Sequence, residues 1–270
     1  MQTLIDIFSL PFMGRALIVG TLVSLCAALL GVVLVLKHYT LIGHGLGEVG
    51  FAALALAMVL GLPPMAVAVP AVVGAAFFIM WYGQKKGVSG DVTIGVMATA
   101  ALSLGVILTS VVRGFNVDVT SYMFGSVLAV SESDVPLSVG LSALVLLTYG
   151  LCFHKLFAVS YDDAFARAIG VPVDAYQFLI SFLTAVTVVL GMRMMGSMLI
   201  SSLIIVPALS ARRLVRSFRA MVVLAAAISV VCFLMGIVVS CLTDLPAGAS
   251  VVMVNLAALA VSALVGRVRR

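Results

Sequence analysis

The chain is short of charge. Only 9% of its 270 residues are Asp, Glu, Lys or Arg, where an ordinary soluble domain carries roughly 25%. That shortage excludes a soluble globular protein of usual composition. Nucleotide-binding chemistry is missing too: there is no Gly-x-x-x-x-Gly-Lys-Ser/Thr loop to cradle phosphates. Neither His-Glu-x-x-His nor Gly-x-Ser-x-Gly occurs, which removes two common hydrolase signatures. No Cys-x-x-Cys is present. Cys26, Cys152, Cys232 and Cys241 lie far apart, mostly inside apolar runs, and read as small packing residues. The N-terminus has no basic segment before its first apolar run, so no cleavable signal is expected.

What the chain has instead is apolar length. Hydrophobic residues make up 64% of it, in runs near the 20 or so residues that a bilayer crossing needs. Nine spans are expected, at about 14–36, 41–60, 64–82, 92–112, 135–153, 174–192, 195–210, 219–242 and 246–266. The fold class is therefore all-α and polytopic, with residues 1–270 as one membrane domain and eight spans as the alternative. Pro63 and Pro64 mark a tight turn between spans two and three. Segment 114–134 is too polar to span, although "SYMFGSVLAV" within it suits a short re-entrant or interfacial helix.

Orientation follows from the basic residues. With nine spans, all of the 15 Lys and Arg except Arg15, Arg113 and Arg193 fall on one side. The positive-inside rule makes that side cytoplasmic, with the N-terminus outside and the C-terminus inside. The net charge of +5 thus reports topology, and no nucleic-acid partner is expected. The lipid bilayer is the expected surrounding.

Several stretches hold polar residues among the apolar runs. "LKHYTLIGHGLGEVGF" places His44 and Glu48 four residues apart among glycines. On a helix they share one face, and Gly43 with Gly47 forms a small-xxx-small pair suited to close helix packing. Imidazole with carboxylate suits a borderline divalent cation. The pair could equally be solvated near an interface, or Glu48 could pair with His44 and only hold the helix. The second stretch, "SYDDAFARAIGVPV", reads as a short surface helix from Tyr161 to Ile169. Ser160 would cap it, Asp162 and Asp163 would fill its first turn, and Gly170 would stop it. Third, Asp91 reads as a cap for the fourth span. Ser201 and Ser202, beside Pro207, read as hydroxyls that resatisfy backbone freed by the proline.

Six stretches together resemble the membrane subunits of bacterial ABC importers for zinc, manganese and iron. They are "VVLVLKHYTLIGHGLGEVGFAALALA", "GDVTIGVMATAALSLGVIL", "SYMFGSVLAVSESDV", "SYDDAFARAIGVPV", "MGSMLISSLIIVPALSARRL" and "DLPAGASVVMV", in that order. The resemblance implies a homodimeric permease in the bacterial inner membrane. Its expected partners are a second copy of itself, a cytoplasmic ABC ATPase and an extracytoplasmic metal-binding protein. The divalent metal is cargo, and no permanently bound cofactor is expected. It also implies that residues 160–172 couple to the ATPase, through Ser160, Asp162, Asp163, Ala164, Arg167, Ala168 and Gly170. His44 and Glu48 would meet the metal on its path. The family usually has Asp at position 44 and His at position 48, so here the ligand order is exchanged. A stand-alone ion-coupled cation carrier or channel using a His/Glu relay is the alternative function.

Overall fold

The computed structural model describes residues 11–86, 90–111 and 134–268, and all its regular elements are helices. They are α1 (Pro11–Leu36), α2 (Ile42–Leu60), α3 (Pro64–Lys86), α4 (Gly90–Val111), α5 (Asp134–Leu151), α6 (Phe153–Tyr161), α7 (Asp163–Ala168), α8 (Val173–Met195), α9 (Ser197–Leu214), α10 (Phe218–Thr243) and α11 (Ala247–Val268). Helices are what an apolar medium demands, because each backbone N–H must find its carbonyl within the segment. Eight are long and apolar enough to cross a membrane; α5 and α6, joined at a 73° bend, make a ninth if taken as one span. The expected spans thus correspond to α1–α5 and α8–α11. The polar stretch expected to hold a re-entrant helix, residues 121–130, lies outside the described residues.

Two layers are visible in the burial. In α1, α2, α8 and α9, 61–72% of the span is buried, against 22–39% in α3, α4, α10 and α11. The inner four hold the core: Val19, Val23, Leu30 and Leu34 of α1, Ile42 and Leu46 of α2, Ile180 and Leu183 of α8, Leu199 and Leu203 of α9. Around them α3 and α4 pack on α2, while α10 and α11 pack on α9. The outer helices turn Leu104, Ile107, Val223, Val261 and Leu264 outward, as lipid-facing surfaces should.

Turn chemistry sets the reversals. Gly61 ends α2 at φ 66°, with the Leu62 N–H reaching the Ala57 carbonyl at 2.9 Å. Pro63 and Pro64 then start α3, where a missing N–H costs nothing. Between α8 and α9 a single non-helical residue, Gly196 at φ 87°, turns the chain.

Contacts gather the basic segments at one end of the bundle. Lys37 pairs with Asp163, Thr40 bonds Asp91, Arg219 meets His154, and Gly266 lies against Arg213.

At Gly31 of α1 the backbone of α9 comes so close that a Cβ would collide with the Ile204 carbonyl. Gly31→Ala should therefore force the helices apart, at a cost of about 1–3 kcal/mol or more. Gly140, in α5, has nothing within 4 Å of its Cβ position, so Gly140→Ala should hold or add about 1 kcal/mol of helix propensity. Thermal midpoints in detergent compare the two; equal midpoints would contradict the α1–α9 approach.

Candidate functional site

The start of α2 is built by its neighbours. No side chain of its own caps it. Instead Asp91 of α4 accepts from the Thr40 hydroxyl at 2.8 Å and the Leu41 N–H at 3.1 Å. Asp91 was expected to cap its own helix; its carboxylate bridges to the α2 N-terminus, where donors are otherwise unmatched. The Tyr39 ring packs on Gly90 and Ile94 packs on Gly45, so the two N-termini lie side by side.

The glycine face of α2 lies on α9. A Cβ at Gly43 would sit 3.2 Å from the Ser201 Cα, and one at Gly47 would sit 2.9 Å from the Ser197 Cβ. Close backbone packing is what the small-xxx-small spacing implied.

This packing leaves His44 and Glu48 in different settings. His44 is about half exposed, at 47%, while the Glu48 side chain is 5% exposed. Their closest atoms, Nδ1 and Oε1, are 3.8 Å apart, too long for a hydrogen bond but close enough for attraction if the imidazole is charged. A solvated Glu48 is therefore not what the fold builds. Among the described residues no group of three or more His, Cys, Asp or Glu could hold a metal. The pair is at most half of a coordination sphere within one chain.

Ser201, one turn along α9, bonds the Ser197 carbonyl at 2.7 Å, and the buried Ser202 hydroxyl has no partner among the described residues. Neither takes the expected part beside Pro207, because Ser201 reaches the carbonyl four residues before it rather than one freed by the proline.

The second element is the α6–α7 corner. Ser160 does not cap. It lies buried in the last turn of α6, with its hydroxyl on the Leu156 carbonyl at 2.5 Å. Asp162 is the cap: its Oδ1 accepts from Ala164 N–H at 2.8 Å and Phe165 N–H at 3.1 Å. The expected helix from Tyr161 to Ile169 is accordingly α7, Asp163–Ala168. The physical reason is competition: a serine inside a helix satisfies itself on the preceding turn, whereas Asp162, extended at φ −154°, is free to cap. Gly170, at φ 81°, stops the helix as expected. Arg167 pairs with Asp174 at 3.1 Å, but both are exposed and such pairs contribute little.

Beyond the expected polar residues, Tyr161, Phe165 and Ile169 stand exposed at 56–79%, spaced four apart. Ala164 and Ala168 lie exposed beside them, while Ala166 is buried beneath. The helical spacing of these large apolar residues was visible in the sequence; that they face away from the bundle was not.

Lys37 anchors this corner. Its side chain is 7% exposed and its Nζ is 2.9 Å from Asp163 Oδ1, while Gln177 of α8 donates to Asp163 Oδ2 at 3.1 Å. The same residues line a cavity of about 220 Å³ with Tyr39 and Ser160. Burial pushes the Lys37 ammonium below its ordinary pKa, and the Asp163 carboxylate works against that. Burial likewise raises the Tyr39 phenol. The α1–α2 turn, which carries the α2 N-terminus, is thus tied to α7 by an ion pair whose lysine is buried and whose aspartate is partly exposed.

Long apolar helices around a glycine-packed centre define a multi-pass membrane protein. The chain belongs to the ABC 3 transport family, which it matches over residues 9–266. It is 31% identical over 238 residues to the high-affinity zinc uptake system membrane protein ZnuB of Haemophilus influenzae, covering 88% of this chain and 91% of that one. It is 30% identical over 249 residues to the manganese transport system membrane protein MntC of Halalkalibacterium halodurans, covering 92% and 85%. The fold superposes on PsaBC from Streptococcus pneumoniae in complex with Fab, with a TM-score of 0.83 at 26% identity, over 97% of this chain and 94% of that one. A putative metal-chelate type ABC transporter in an inward-facing conformation shares the fold at TM-score 0.73 and 17% identity, over 93% and 84%.

The Lys37–Asp163 pair makes an asymmetric prediction. Asp163→Asn leaves a buried ammonium without its counter-charge, whereas Lys37→Met removes the charge that needs one. Asp163→Asn should lower stability by about 1–3 kcal/mol, less than a fully buried pair because Asp163 is itself partly solvated, and Lys37→Met should cost less. Unfolding in detergent measures both. An equal or reversed order would show that the pair does not hold the corner.

Proposed function

We propose that this chain is the membrane-spanning subunit of an ATP-driven importer of a divalent transition metal, zinc, manganese or iron. Two copies of it form the path in the bacterial inner membrane. A cytoplasmic ABC ATPase supplies energy and an extracytoplasmic metal-binding protein delivers the ion. The observation that carries the reading is the His44–Glu48 pair: a buried carboxylate beneath a half-exposed imidazole on a helix held by glycines. Two ligands are too few for a closed site. Paired across a dimer axis they become four, loose enough for a site that must release its ion. Membership of the family and the zinc and manganese systems named for the relatives support the cargo class.

The α6–α7 corner is the docking element. Its exposed Tyr161, Phe165 and Ile169 offer an aromatic and aliphatic ridge for a partner, and the chain has no phosphate loop of its own. This end is the cytoplasmic one, because the basic segments meet there. A stand-alone carrier using His44 and Glu48 as a proton or cation relay would leave that ridge without a role.

Uptake by vesicles holding the chain with its ATPase, compared for zinc, manganese and iron, tests the reading. ATP-dependent accumulation is expected, and uptake that ignores ATPase and nucleotide would favour the carrier. Glu48→Gln keeps the shape but removes the charge that offsets a divalent cation, so uptake per folded dimer should collapse. His44→Gln should harm zinc more than manganese, which accepts oxygen ligands readily. Wild-type uptake in Glu48→Gln would end the assignment of these residues to the path.

Gly170→Val tests the docking element. At φ 81° a β-branched residue is strained by about 1–3 kcal/mol, enough to distort the exit of α7 without unfolding the bundle. ATP hydrolysis should continue while uptake falls. Fully coupled uptake would remove α7 from the ATPase interface.

A further inference from the structure

At the same end of the bundle, a cleft of about 440 Å³ opens between the last turns of α9 and α11. Leu209, Arg212 and Arg213 line one side; Ala263, Gly266 and Arg267 line the other. The volume falls within the range of small-ligand pockets, about 300–1,000 Å³. Three arginines line this space, and among the described residues no carboxylate does. The ion pairs among the described residues join Lys37 to Asp163, His44 to Glu48 and Arg167 to Asp174; Arg212, Arg213 and Arg267 make none.

We propose that this cleft binds an anionic phosphate group, presented by a phospholipid headgroup. The charge balance favours an anion. The two helices run in the same direction, so both C-termini end here, and each contributes about half a negative charge. Three full positive charges outweigh that. Guanidinium forks match phosphate oxygens two at a time, which an ammonium cannot do. Gly266 sets the shape: a Cβ there would stand 3.3 Å from the Arg213 carbonyl, so a side chain would push the helix ends apart. The surroundings favour a lipid over a free ion. Leu209 and Ala263 form an apolar wall, and the exposed Leu264 lies one turn before Arg267 on α11. A headgroup seated here keeps its acyl chains in the bilayer, and basic pockets between helices at the cytoplasmic face suit such headgroups. The inference rests on the cytoplasmic assignment of this end, not on the metal cargo. Its competitor is that the arginines only fix topology and face the helix C-termini; a second competitor is an acidic surface of the ATPase.

The test counts lipids retained by the purified full chain in neutral detergent, using native mass spectrometry. Phosphatidylglycerol, phosphatidylcholine with the same acyl chains, and inorganic phosphate are titrated separately. Phosphatidylglycerol should be held in preference to phosphatidylcholine. Arg213→Gln with Arg267→Gln should weaken that retention, about tenfold for each guanidinium removed. The corresponding Lys variants should recover part of it. Arg216→Gln, on the same loop but outside the cleft lining, should retain lipid as the unaltered chain does, and unfolding midpoints check that all variants are folded. Inorganic phosphate that competes at millimolar concentration, with phosphatidylglycerol held no better than phosphatidylcholine, would identify a free-phosphate site and overturn the headgroup. Retention unchanged in folded Arg213→Gln/Arg267→Gln would overturn the cleft as the site. Unchanged retention together with weaker ATPase binding would assign the arginines to the protein partner instead.

Discussion

The approach of the α9 backbone to α1 and α2 is the constraint on which the rest of the structure depends. In water, burial of apolar surface would drive helices together; in lipid that drive is absent, and close van der Waals contact has to serve. Gly31 lets the Ile204 carbonyl in, and Gly43 and Gly47 let the Ser201 and Ser197 turns in. Once α9 is seated, α8 is placed by the one-residue turn at Gly196, and α10 and α11 have a surface to pack on. The face of α2 that bears Glu48 then has no freedom to rotate.

Charge is the second organising cost. A carboxylate or ammonium away from water is expensive unless paired or given a cavity, so the few buried charges show where cost is tolerated. Lys37 settles it locally with Asp163 and Gln177, and in doing so ties the α1–α2 turn to the exposed α7. Glu48 settles it only in part, with His44 at 3.8 Å. The Lys37–Asp163 pair is hydrogen-bonded within the chain, whereas the His44–Glu48 pair is too far apart for a hydrogen bond.

Much of the architecture was legible along the chain. Runs near 20 apolar residues became α1–α4 and α8–α11 with their ends within a few positions of those expected, because bilayer thickness dictates length and backbone satisfaction dictates helix. Turn residues were equally readable: Pro63 with Pro64, and Gly170, act through local backbone preferences. Capping was less so. Ser160, Asp162 and Asp163 are all competent near a helix start, and nothing in their order says which will cap, which will sink into the preceding helix and which will reach across to Lys37. Asp91 repeats the point, since its carboxylate serves a neighbouring helix fifty positions away.

By itself, then, the sequence determined that the chain crosses a membrane many times, that its basic segments belong on one side, and that His44 and Glu48 share a helical face. Each of these depends on local periodicity, composition or φ. Tertiary structure decided what local rules cannot: that Glu48 is buried while His44 is half open, that the Lys37 side chain is buried against Asp163, that Tyr161, Phe165 and Ile169 face outward, and that Arg212, Arg213 and Arg267 line one cleft. The physical reason is that burial and charge pairing are properties of neighbours brought from distant positions. A helix announces its own faces, but which face meets another backbone is settled only when the bundle closes.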